Sequence, residues 1–215
     1  MSLIVTLSPY YPQVISCIIH PIERGFMEFN QVVMSRRSVF KFQSKALVVD
    51  DIYPLIEAAV MAPNHHLTQP WRFIWLGKQT QSCLAEYYGE AKAAKAMAAD
   101  ATVHERIKQK AVEKFLAVPA ILLVMCRLDR QPVIREEDLA ATHCAIQNLL
   151  LAATDKGLGA QWSTHPMIYD DQVMAEVGVD SSKERCCAMI YMGYPEVIPP
   201  APPRKSAQEC LTLLP

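Results

Sequence analysis

Two basic clusters sit far apart in a 215-residue chain, Arg36-Arg37-Ser38 near its beginning and Arg204-Lys205 near its end. Two guanidinium forks and a hydroxyl at a turn can grip a phosphate without a glycine-rich loop. The same arginines at a helix C-terminus would equally complement the macrodipole, a gain of about 0.3–1 kcal/mol each, and a late Arg-Lys pair is equally a solvated tail. Trp162-Ser163-Thr164 follows a Gly-x-Gly turn; it can set donors beside a planar ring, or form a strand edge with a packed indole.

Other chemistry is excluded by what the chain lacks. It has seven glycines and contains no Gly-x-Gly-x-x-Gly, no Gly-x-Ser-x-Gly and no Walker loop, so a glycine-rich nucleotide cradle is out. The six histidines show no His-x-x-x-His pairing, so no metal site is expected. The seven cysteines are an odd set without Cys-x-x-Cys, and several lie in apolar runs, which reads as free thiols in a reducing cytoplasm. With 21 Lys and Arg against 22 Asp and Glu, the net charge of −1 offers no broad field for nucleic acid. The apolar N-terminal stretch lacks a basic n-region and is cut by Pro9, Pro12 and Pro21, so neither a signal peptide nor a membrane span is expected there.

The elements that must position these residues follow from periodicity. Phe29, Val32 and Val33 predict a short helix over residues 27–35 that delivers Arg36 at its end. A second helix begins at Asp50 or Asp51, tolerates Pro54 in its first turn, buries Ile52, Leu55, Ile56, Ala59 and Val60, and ends at Pro63. The loop from Asn64 through His65, His66 and Gln69 to Pro70 leads into the strand Trp71-Arg72-Phe73-Ile74-Trp75-Leu76. Residues 78–117 read as two solvated helices joined near Asp100. Residues 120–126 are a continuous apolar run and hence a central strand; residues 186–191 are a second. Between them come a long helix over residues 136–156, apolar nearly all round from 144 to 154 and stopped by Gly157, and a short helix near residues 170–177. From Pro195 onward the prolines predict an extended arm that must lie on something to be ordered. This alternation predicts an α+β sandwich of one sheet and several helices. The expected organisation is an N-terminal extension over 1–26, one domain over 27–208 and a C-terminal tail over 209–215.

Taken in order, these pieces resemble the nitroreductase family of flavin oxidoreductases. The resemblance runs over residues 27–208 and is carried by Arg36-Arg37-Ser38 with Phe42, by Ala62-Pro63-Asn64-His65 leading to Gln69-Pro70-Trp71-Arg72-Phe73, by Asp155-Lys156-Gly157-Leu158-Gly159, and by Gly193-Tyr194-Pro195 with Arg204-Lys205. The short middle section is most similar to the compact, minimal members. The resemblance implies a mixed or antiparallel sheet flanked by helices in an entwined homodimer, with one FMN at each of two interface sites. By that similarity Arg36, Arg37 and Ser38 hold the phosphate and nearby polar atoms, and Arg204 and Lys205 add charge from a crossing arm. Asn64, His65 and Gln69 approach the flavin from the partner subunit, and Trp162, Ser163 and Thr164 line the isoalloxazine. One departure stands out. The family commonly carries a basic residue two positions after the serine, and here that position is Phe40, followed by Lys41. No donor to the flavin's N1 and O2 atoms is assigned by the resemblance.

The implied activity is hydride transfer from NAD(P)H through FMN to a nitroaromatic, quinone or similar small acceptor, with no protein acid, base or nucleophile required. The alternatives are a flavin enzyme of the same fold with another redox substrate, such as dehalogenation or ring oxidation, a non-enzymatic flavin-binding protein, and a plain α+β domain whose arginines are only caps.

Overall fold

The computed structural model describes residues 28–97 and 100–214. The expected extension over residues 1–26 lies outside the described residues. Four strands form one sheet: β1 (Trp71–Trp75), β2 (Ala120–Arg127), β3 (Gly159–Ser163) and β4 (Glu184–Gly193). Their spatial order is β1-β2-β4-β3 and every pairing is antiparallel. Of the two sheet types that the sequence left open, the antiparallel one is therefore realised.

Seven helices flank the sheet among the described residues. They are α1 (Phe29–Ser35), α2 (Val49–Val60), α3 (Lys78–Lys95), α4 (Ala101–Leu116), α5 (Pro132–Asp155), α6 (Asp171–Glu176) and α7 (Ala207–Cys210). The two buried strands divide the core by alternation. Ala120, Leu122, Val124 and Cys126 face one layer with α2 and α5, while Ile121, Leu123 and Met125 face the other with α3, α4 and α6. A bulge between Val124 and Met125 leaves Cys187 as the extra residue of β4, so Cys187 and Ala188 both face the α5 layer.

Local chemistry sets the boundaries. Asp51 accepts from the Val48 N–H at 2.9 Å, so the first turn of α2 starts slightly before the aspartates expected to cap it. Asp100 accepts from the N–H groups of Thr102 and Val103 and opens α4 at the expected join. Pro132 opens α5 four residues earlier than the apolar pattern suggested, because its missing N–H costs nothing in a first turn. Gly157, at φ 72°, ends the same helix. The arm expected to be wholly extended contains α7, whose Ser206 and Glu209 cap each other's backbone N–H groups.

Only half of α5 is interior. Ala145, Ile146, Leu149 and Ala153 are fully buried, whereas His143, Cys144 and Gln147 are exposed. Beside the open half, Phe29, Val32, Ala58, Asn148, Leu151 and Ala152 line a shallow groove, and Phe29 and Met34 are 72% and 74% exposed. Cys83, Cys126, Cys144, Cys186, Cys187 and Cys210 are free thiols. No helix among the described residues is long and apolar enough to cross a membrane.

Candidate functional site

The last turn of α1 releases the chain along the outer edge of β3. There Ser38 makes a parallel bridge to Ala160, and the Val39 N–H donates to the Ala160 carbonyl at 3.0 Å. Gly159 permits this approach, since a Cβ on it would lie 2.8 Å from Val39 Cγ2. The other side of the same segment binds the beginning of the C-terminal arm. The Glu196 N–H donates to Lys41 O at 3.0 Å, the Gln43 N–H to Tyr194 O at 2.9 Å, and Gln43 Nε2 to Pro195 O at 2.9 Å. Residues 38–43 are thus stitched to β3 and to the arm at once.

This stitching brings the two basic clusters together. Arg36, Arg37, Ser38 and Phe40 line one hollow of about 260 Å³ with Pro199, Pro200, Pro202 and Arg204 from the arm. No carboxylate lines it. Burial, then Arg37, then Arg204, lowers the Arg36 pKa from its ordinary value, the mark of a cation crowded by like charges. The two arginines of the pair differ in role. Arg37 donates to the carbonyls of Met34 and Arg36 at 2.8 and 2.7 Å, which is the helix-capping reading, while Arg36 faces Arg204. Lys205 is exposed and lines no part of the hollow.

Phe40 also forms a wall of a larger cavity, about 650 Å³, under β3 on the α3 and α4 side. Ser163 lines it, together with Tyr88, Lys92, Phe115, Gln161, His165 and Tyr191. The Tyr191 hydroxyl is buried near Tyr88 and Ser163, and burial pushes its pKa upward. His165 packs on the Tyr88 ring at 4.5 Å. Burial, then Lys92 and Lys95, holds its pKa down at about 4, so it is a neutral imidazole at pH 7. Sequence reasoning missed this cavity, because its lining comes from α3, α4, β3, β4 and two loops with no shared motif.

The remaining expected site residues lie elsewhere on the chain. Trp162 points to the opposite face of the sheet from Ser163, against the His143 ring at 5.5 Å, with its Nε1 buried and unpartnered. Thr164 is exposed just past β3. Asn64, His65 and Gln69 belong to the loop before β1 and line neither cavity. In that loop Asn64 Oδ1 accepts from the Gln69 N–H at 2.9 Å, and His66, Leu67 and Gln69 all have positive φ. Thr68 donates to Asp138, a buried carboxylate on α5. His65 Nδ1 lies 2.9 Å from Glu137, and His66 stacks on His65. The carboxylate missing from the sequence neighbourhood of the histidines is therefore supplied from α5. The ligand atoms of His65, His66 and Glu137 fall within 4.8 Å of one another, an arrangement that could hold a cation.

The chain is thus an α+β sandwich with an arginine-lined hollow that no carboxylate lines and a larger cavity that shares Phe40 with it. Comparison with known proteins narrows the class. Residues 33–194 match the model of the nitroreductase family, and the chain belongs to that family. It is 34% identical over 189 residues to "Putative NAD(P)H nitroreductase YfhC" of Bacillus subtilis (strain 168), covering 84% of this chain and 91% of that protein. Its fold is similar to that of a nitroreductase-like family protein from Bacillus cereus, with a TM-score of 0.75 at 24% identity over 89% of this chain and 98% of the other. A nitroreductase with bound FMN from Bacteroides fragilis NCTC 9343 superposes with a TM-score of 0.66 at 20% identity, covering 88% and 100% of the two chains.

Proposed function

We propose that this protein is an FMN-dependent oxidoreductase that passes hydride from NAD(P)H to a nitroaromatic, quinone or similar small acceptor, working as a homodimer in the cytoplasm. The observation that carries the reading is the convergence of Arg36 and Arg204 on one hollow that no carboxylate lines, with Phe40 shared between it and a larger cavity. Crowded guanidiniums without a counter-charge fit a phosphomonoester, which carries close to two negative charges near pH 7. The names of the Bacillus subtilis relative and of the FMN-bound neighbour support the cofactor and the co-substrate.

Bound FMN supplies the two-electron chemistry. The chain's own residues do the rest. Arg36 and Arg204 would neutralise the phosphate, and Ser38 would offer its hydroxyl to the polar chain that joins phosphate to ring. Phe40 and Ser163, which both line the larger cavity, would hold the ring. His165 stays neutral and moves no proton at pH 7, in keeping with a transfer that needs no protein acid or base.

The dimer is supported by surfaces that one chain leaves open. Leu213 and Leu214 at the end of the arm are 81% and 85% exposed, and the apolar groove beside α5 continues the exposed Phe29. The loop carrying Asn64, His65 and Gln69 lies away from the hollow of its own chain, so we assign those residues to the flavin of the partner. The free thiols support a reducing compartment.

The test is an absorbance spectrum of the protein as purified, followed by anaerobic addition of NADH or NADPH and then of menadione or nitrofurazone. Bleaching by the nicotinamide and recovery on adding acceptor is the expected result. A protein that lacks a flavin band and takes up no added FMN refutes the proposal, and so does bound flavin that stays oxidised.

A further inference from the structure

The flavin reading leaves His66, in the loop before β1, without a role, yet its backbone is held in the left-handed region at φ 57°. Leu67 and Gln69 share that region at φ 53° and 43°, and none of the three is a glycine. Such backbone is disfavoured for residues with a Cβ and persists where surrounding contacts over-determine it. Two contacts do so here. Asn64 Oδ1 accepts from the Gln69 N–H at 2.9 Å and closes the loop on itself, while the Thr68 hydroxyl donates to Asp138 and anchors the loop on α5.

This conformation decides where two neighbouring imidazoles point. Successive side chains of an extended segment face opposite ways, but the rings of His65 and His66 stack with centroids 3.8 Å apart and planes inclined by 23°. Glu137 precedes the anchoring Asp138 on α5, and its Oε2 lies 2.9 Å from His65 Nδ1. One nitrogen from each ring and one Glu137 oxygen fall within 4.8 Å of one another; among the described residues no other trio of histidine, cysteine or carboxylate side chains converges in this way. Ligand atoms around a tetrahedral zinc-sized ion stand about 3.4 Å apart. Small rotations of these exposed or half-buried side chains close the difference. Two imidazoles and one carboxylate suit a divalent first-row cation of the Zn²⁺ type rather than Mg²⁺ or Ca²⁺, which take shells of oxygen.

We propose that His65, His66 and Glu137 bind a divalent cation of the Zn²⁺ type, which takes the place of the proton between His65 Nδ1 and Glu137 and clamps the loop to α5. The spacing of the histidines predicted no metal site, and the fold corrects that expectation by bringing in a carboxylate from 72 residues away. Neither His66 nor Glu137 lines the arginine hollow or the larger cavity, so cation binding here is independent of the flavin.

The experiment is a calorimetric titration of the metal-free, tag-free whole chain with zinc chloride, and separately with magnesium chloride, on the parent protein and on His66→Ala, Glu137→Gln and His104→Ala. The parent is expected to bind one Zn²⁺ per chain and no Mg²⁺ at the same concentrations. His66→Ala and Glu137→Gln each remove one ligand and are expected to weaken Zn²⁺ at least tenfold. His104 faces Glu90 at the same 2.9 Å but without a second imidazole, so His104→Ala is expected to stay within threefold of the parent. Saturating Zn²⁺ is also expected to raise the thermal midpoint of the parent and to leave that of His66→Ala unmoved. Zn²⁺ uptake that His66→Ala and Glu137→Gln leave unchanged places the ion elsewhere, for instance on the exposed thiols Cys83, Cys144 and Cys210, and overturns the inference. A parent that binds no Zn²⁺ overturns it too. Zn²⁺ held through these residues by a chain that takes up no FMN supports the site and counts only against the flavin reading.

Discussion

Replacing Arg36 by alanine separates phosphate recognition from every other contribution to flavin binding. Its guanidinium faces the hollow beside Arg204, partly buried and without a carboxylate partner among the described residues. A charge-assisted hydrogen bond contributes about 1.5–3 kcal/mol, so losing one good Arg36 contact to a phosphate weakens FMN about 10- to 150-fold. Riboflavin has no phosphate, and its affinity is expected to stay within about threefold, a margin set here for packing changes at the rim. The ligand-free fold gives an opposite sign. Because burial and two neighbouring arginines disfavour the Arg36 charge, its removal is expected to leave the apo-protein's thermal midpoint unchanged or higher. Flavin fluorescence quenching with the two ligands, alongside thermal unfolding of the apo-protein, reads all three quantities. Equal losses for FMN and riboflavin, or a lower apo midpoint with FMN affinity unchanged, refute the phosphate role.

Three further outcomes follow from the same geometry. Arg37→Ala removes two hydrogen bonds to the carbonyls at the end of α1, so it is expected to cost about 1–2 kcal/mol of stability in denaturant titrations and to weaken FMN less than Arg36→Ala does. Gly159→Ala drives a methyl against Val39 and pushes residues 38–40 off β3; an overpacking cost of about 1–3 kcal/mol, seen as several degrees in the melting midpoint, should accompany weaker FMN binding. His165 is held neutral by burial, with a folded pKa of about 4 against 6.5 in the unfolded chain, so its contribution to stability is full above pH 6.5 and is lost as pH falls toward 4. His165→Gln is expected to flatten stability over that window in urea titrations at a series of pH values, and an unaltered slope counts against the assignment.

Much of the fold was legible because its signals are local. The apolar run of β2, the aromatic run of β1 and Gly157 at the end of α5 each declare themselves within a few residues. The strand order β1-β2-β4-β3 did not, since pairing depends on contacts between residues as distant as Trp71 and Cys126. α7 escaped because four residues between proline and leucine carry no periodicity, and only the Ser206 and Glu209 caps mark it. At the candidate site, the joining of Arg36 to Arg204 was expected from the order of motifs, but the division of labour between Arg36 and Arg37 is set by which guanidinium can turn back on α1. The left-handed backbone at His66, Leu67 and Gln69 was not legible, since no glycine announces it.

The hollow draws its cations from positions 36 and 204 of the chain, which has a bearing on timing. Arg204 lies far beyond Arg36 along the chain, so the second guanidinium is made well after the first. On the flavin reading proposed above, both guanidiniums would be in place for the nucleotide only after residue 204 has been made and the arm has folded onto residues 38–43.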